Sequence, residues 1–153
     1  YEMQELGYNY RASDIHCALG ISQLKKVNLF LKKRKNLADI YDHEFNKNST
    51  VIKPIKRINW GSSGWHLYVV QINFEHLKIS KSKLMRLLLN KNISTQVHYI
   101  PLHLQPYYRK SDNNMDFRGA IKYYKSSLSI PLFPLMEEQE VNYVIKTINE
   151  FLR

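Results

Sequence analysis

Apolar residues recur at helical spacing from Ile15 to Phe45: Ile15, Leu19, Leu24, Val27, Leu31, Leu37, Tyr41 and Phe45. A stripe of this kind needs a surface to lie against. Lys25, Lys26, Lys32, Lys33 and Lys35 fall around the remaining, solvent side. The spacing predicts one helix from Ser13 to about Phe45, with room for one break. A helix of that length exceeds the ordinary globular range, so it bridges two structural units or supports a dimer. Ser13 is a fitting N-cap, and Asp14 puts negative charge in the first turn, where the helix dipole favours it. Ahead of the helix, Gly7 lets the backbone turn closely past a neighbour. Asn9 and Arg11 follow. A guanidinium suits a bidentate grip on phosphate, and loops at helix starts suit anions. On the residues alone, the plainer reading is a capped helix whose Arg11 pairs with a carboxylate.

Val51 to Gly64 reads as a loop carrying Pro54 and the turn-prone Gly61-Ser62-Ser63-Gly64. Trp65 to Phe74 alternates well enough for a strand, apolar on both faces and therefore central or covered. Ser80 or Ser82 caps a helix to about Leu89, with Leu84, Leu87 and Leu88 inward. Ile93 to Tyr99 reads as a second strand, stopped by Pro101, and Leu102 to Asp116 as an irregular loop. Phe117 to Leu128 reads as a helix, Ile130 to Pro134 as extended, and Glu137 to Leu152 as a closing helix with an acidic first turn. The order gives an α/β (α+β) domain, a small sheet covered by helices behind a long N-terminal helix.

With 153 residues, 44% of them hydrophobic and 24% charged, the chain reads as a globular protein with one proper core. Its longest apolar runs, Leu67 to Val70 and Leu87 to Leu89, are far too short to span a bilayer. Glu2 and Glu5 stand where a signal peptide would be positive. The single Cys17 permits no internal disulfide. These features point to the cytoplasm. The net charge of +10 invites a nucleic-acid reading. The positives are densest from Lys25 to Arg57, without aromatic residues suited to base stacking, so a general lysine-rich habit is preferred. The opening Tyr1 to Ala12 has no initiator Met and reads as the middle of something longer.

Gly7-Tyr8-Asn9-Tyr10-Arg11 with Ser13-Asp14-Ile15, then Ala18-Leu19-Gly20-Ile21-Ser22-Gln23-Leu24, closely resembles the DegT/DnrJ family of pyridoxal-phosphate sugar aminotransferases. Thr95-Gln96-Val97-His98-Tyr99-Ile100-Pro101 resembles that family's nucleotide-sugar segment, and Leu128-Ser129-Ile130-Pro131-Leu132-Phe133-Pro134 its closing segment. The three stand in the family's order. More narrowly the chain resembles enzymes that aminate UDP-4-keto-6-deoxy sugars on the way to pseudaminic acid. Two positions depart from the family pattern: Ala12, where a larger apolar residue is usual, and His16, where glutamine is usual.

The resemblance implies the small C-terminal domain of a fold-type-I aminotransferase: an entering segment over 1–12, a long linking helix over 13–46 and the small domain over 47–153. It implies pyridoxal 5'-phosphate as the cofactor of the full-length family, held by a lysine ahead of the segment that opens this chain. No lysine here has that context, so the chain alone is expected to bind no cofactor and to carry no catalytic residue. Asn9 would reach the cofactor of a second subunit; Arg11, Gln96, Val97, His98 and Tyr99 would meet a UDP-sugar. A regular strand sends Gln96 and His98 one way and Val97 and Tyr99 the other, so the four cannot all use side chains on one ligand. On the residues alone, His98 and Tyr99 fill the core. The expected partners are a second copy or a complementing N-terminal polypeptide, with neither nucleic acid nor membrane. His98 and His103 lack further ligands at metal spacing. Tyr107-Tyr108-Arg109 packs a loop down more readily than it stacks on a base. A non-catalytic dimerisation module is the alternative function.

Overall fold

The structure, a computed structural model, describes residues 2, 4–8, 10–48, 50–108 and 116–152. Six helices and four strands alternate as α1 (Asp14–Leu24), α2 (Val27–Asn48), β1 (Ile52–Pro54), β2 (Tyr68–Ile72), α3 (Phe74–Leu77), α4 (Lys81–Leu89), β3 (Gln96–Val97), α5 (Arg118–Ser126), β4 (Ser127–Ile130) and α6 (Glu138–Phe151) among the described residues. A single turn of 3-10 helix, Leu102–Leu104, lies between β3 and α5. The sheet runs β1-β2-β4-β3 with every neighbour antiparallel. Antiparallel strands with helices on the sheet make the fold α+β, within the class read from the sequence.

The core lies between one sheet face and helices α2, α4 and α6. Tyr68, Val70 and Ile72 of β2 meet Leu128 and Ile130 of β4 there, with Leu37, Tyr41 and Phe45 of α2, Leu84 and Leu88 of α4, and Val141, Ile145 and Ile148 of α6. Tyr41 keeps its polar end satisfied by donating its hydroxyl to Pro131 O at 3.0 Å. The opposite face of β2 carries Val69 and Gln71, half-buried. β2 is central, as its two apolar faces required.

Local chemistry accounts for the boundaries. Ser80 Oγ accepts from Lys83 N–H at 3.1 Å and starts α4. Asn92 takes φ 58°, a left-handed position Asn tolerates, and Ile93 N–H closes back on Leu88 O at 2.9 Å. Glu140 caps α6 by accepting from Glu137 N–H at 2.8 Å.

The structure corrects several expectations. The helix read from Ser13 to about Phe45 takes the one break allowed for it and is α1 and α2, parted at Lys25 and Lys26. There Lys26 N–H bonds Gln23 O at 2.9 Å, a tighter three-residue step. The stripe also divides: Leu37, Tyr41 and Phe45 are buried, whereas α1 buries nothing and leaves Ile15, Leu19 and Leu24 exposed. Periodicity finds the apolar face, and only tertiary contact decides what covers it. Ile52–Pro54, expected in a loop, forms β1. The helix expected through Leu128 ends at Ser126 and passes directly into β4. The strand expected from Ile93 shrinks to Gln96–Val97. Trp65 cannot join β2, because its φ of 52° is left-handed. Packing against Tyr68, with ring centroids 6.3 Å apart, and Arg57 4.1 Å above its ring hold it there.

Candidate functional site

β3 is the outer strand beside β4, and the segment from Gln96 through Pro101 is the stretch nominated by sequence. Gln96 lies opposite Ser129 and Val97 opposite Leu128. Pleating then turns His98 beneath the sheet's second face. Its Nε2 lies 3.0 Å from Ser129 Oγ, and its Nδ1 stands 3.5 Å from the Tyr123 hydroxyl of α5, the two rings edge-on. Gln96 is exposed, Val97 is 47% exposed and Tyr99 is 90% exposed. His98 is thus engaged within the domain, while Gln96 on its own face of the strand, and Val97 and Tyr99 on the other, are the exposed residues of this rim. The expectation that Tyr99 fills the core does not hold.

A second layer braces this edge. Lys81, at the start of α4, reaches across to the end of α5, where its ammonium donates to Tyr124 O and, at 3.1 Å, to Ser127 O. A cation suits the carbonyl end of α5. Burial lowers the pKa of Lys81. The pKa of His98 is lowered too, first by burial and then by the charge on Lys81. Between them Ser127 Oγ is fully buried with no hydrogen-bond partner among the described residues. Sequence reasoning missed Lys81, Tyr123, Ser127 and Ser129. The alternation Ser127-Leu128-Ser129-Ile130 was the available signal, since it marks a strand with one polar face.

Arg11 lies in the segment ahead of α1, exposed. Among the described residues it has no ion-pair or hydrogen-bond partner, and nothing bonds it to residues 96–99. The carboxylate pairing expected on the residues alone is therefore not formed among the described residues. Asn9 lies outside the described residues, as does Arg109. Ser13 Oγ caps α1 by accepting from His16 N–H at 3.4 Å, and it also lies 2.8 Å from His16 Nδ1. Tyr107 and Tyr108 do not pack a loop down; both are exposed and meet each other edge-on.

Pyridoxal chemistry needs an amine that forms an imine, an acid facing the pyridine nitrogen and a wall for the ring. Lys81 is committed to two carbonyls and has no carboxylate partner among the described residues. Lys81, so engaged, does not supply that amine among the described residues. Among the described residues no cluster of three or more His, Cys, Asp or Glu could hold a metal ion, and no helix is long and apolar enough to cross a membrane.

The model of the DegT/DnrJ/EryC1/StrS aminotransferase family matches residues 1–149. The UDP-4-amino-4,6-dideoxy-N-acetyl-beta-L-altrosamine transaminase of Campylobacter jejuni is 39% identical over 99% of this chain and 40% of that protein. Among solved structures, Helicobacter pylori PseC, an aminotransferase of pseudoaminic acid biosynthesis, superposes with a TM-score of 0.84 at 26% identity, over 99% of this chain and 40% of that one. The PLP-form of the sugar aminotransferase Spr1654 from Streptococcus pneumoniae superposes with a TM-score of 0.79 at 26% identity, over 93% and 36%. The chain spans about 40% of the length of the curated relatives it matches.

Proposed function

The chain belongs to the DegT/DnrJ/EryC1/StrS aminotransferase family, and from that premise we propose that it is the small, substrate-facing part of a pyridoxal-phosphate sugar aminotransferase. The reaction moves an amino group from an amino acid, glutamate in our reading, to a UDP-4-keto-6-deoxy sugar in the cytoplasm. Residues 1–12 enter from a larger cofactor-carrying unit, 13–46 link, and 47–153 form the small domain. The exposed rim at β3 carries the reading: Gln96, Val97 and Tyr99 are open to solvent while His98 anchors the segment to β4 and α5. In this scheme the rim contacts the sugar nucleotide, with Arg11 and Asn9 contributing from the segment before α1. His98 acts by holding the rim.

The test is a titration with UDP-N-acetylglucosamine, following backbone amides by NMR. Saturable shifts at Arg11 and Gln96 to Tyr99 are expected. Their absence, with the chain folded, would remove the substrate role. The chain alone, given pyridoxal phosphate, glutamate and a UDP-4-keto sugar, is expected to produce no amino sugar. Turnover there would overturn its non-catalytic assignment.

A second reading, an interaction module that pairs with a copy of itself, draws on α1. Ile15, Leu19, Ile21 and Leu24 are each more than half exposed, an apolar load that favours association. Sedimentation that stays monomeric at high concentration would discard it.

A further inference from the structure

At the edge of the sheet opposite β3, a pocket of about 630 Å³ opens between β1, β2 and α5. That volume is ordinary for a small-molecule site. Its walls draw cations from three places in the chain: Lys53 on β1, Arg118 at the start of α5, and Lys122 and Lys125 along α5. Glu75 is the only carboxylate among the lining residues. Outside the pocket Lys35, Lys47 and Arg57 take acidic partners, while other lysines such as Lys32 and Lys33 stand apart along α2; what sets the pocket apart is that its four cations converge on one concavity. Around the pocket, Lys53, Lys122 and Lys125 have no ion pair among the described residues, and Arg118 holds only the exposed Asp116. Gathering four cations around one concavity raises the local potential, which Glu75 and Asp116 offset only in part. Between the cations Phe74 and Ile121 supply apolar wall, beside the polar Gln71, Asn73 and Ser126.

We propose that this pocket binds a small phosphate-bearing anion of at least two negative charges, its phosphates among the lysines and any organic body against the apolar wall. Ammonium groups are effective phosphate partners as point charges. The site stands two strands away from β3 and shares with it only α5, whose Tyr123 meets His98 while Lys122 and Lys125 line the pocket.

Pyrophosphate and adenosine diphosphate are titrated into the chain at low salt, following the amides of α5 and β1. Saturable shifts there are expected. Tighter binding of the nucleotide would assign an organic phosphate, and equal binding inorganic diphosphate. Lys122→Glu with Lys125→Glu should weaken pyrophosphate binding by about tenfold or more, on the scale of one well-placed charge contact. Lys32→Glu with Lys33→Glu, on exposed α2 positions, makes the same change in net charge and should weaken it by about twofold or less. Lys122→Gln with Lys125→Gln, a milder pair, covers any loss of folding in the reversal variant. Equal weakening by both reversal pairs, or no saturable binding below about 10 mM, would overturn the proposal.

Discussion

Arg57 lies over Trp65 while its Nε and Nη2 reach Asp42 at 3.1 and 2.5 Å, and Asp42 also accepts from the buried Tyr68 hydroxyl at 2.7 Å. One carboxylate thereby ties α2, the loop before β2 and β2 itself. The pKa of Tyr68 is raised, first by burial and then by its bond to Asp42. Asp42→Asn should cost about 1–3 kcal/mol, because it weakens three acceptor bonds at once. Tyr68→Phe, which leaves the Arg57 pair intact, should cost about 1 kcal/mol. Urea denaturation measures both, and an Asp42→Asn chain as stable as the parent would refute the tie. His98 gives a pH effect. Its folded pKa lies below the unfolded value of 6.5, so its contribution is full above pH 6.5 and is lost as pH falls through the folded value. The groups facing it are Lys81 of α4 and Tyr123 and Ser129 beside the ring. Between pH 7 and 5 the parent should lose stability more steeply than His98→Gln; parallel curves would show that His98 is not the source.

Helices α4 and α6 were legible because each combines a capping residue with an apolar stripe, and in both the stripe is the buried face. β1 was not, because Ile52-Lys53-Pro54 offers three residues and a proline, which reads as loop. β4 hid behind α5, since Ser126 and Ser127 supply no turn residue between helix and strand. Near the proposed site, a strand ending before Pro101 was readable, although only Gln96–Val97 of it forms. Its braces were not, because Lys81, Tyr123 and Ser129 reach His98 or its strand only through tertiary contact. The stripe of α1 was visible, and its exposure was not. A helix of 11 residues that buries nothing has no packing to hold it. Its amides should exchange with solvent at nearly unprotected rates while those of β2 and β4 exchange slowly. Strong protection across α1 in a dilute monomer would contradict this. Leu128→Ala, in the fully buried centre of β4, should cost about 2–5 kcal/mol in a thermal or urea melt.

Across the whole molecule, stability and apolar exposure are separated. The core is gathered from α2, α4, α6 and the sheet, and α1 adds nothing to it. Leu19→Glu with Leu24→Glu should therefore leave the urea midpoint within about 0.5 kcal/mol of the parent while reducing self-association. A large loss of stability would place α1 in the core after all. The strand order also carries a consequence in time. β1 can pair with β2 as soon as both have left the ribosome, but β3 has no neighbour other than β4, which is made more than thirty residues later. β2 likewise waits for β4 on its second side. The rim we assign to substrate is thus the last edge of the sheet to be completed, and a nascent chain halted before Ser127 would carry its hairpin but no trace of that rim.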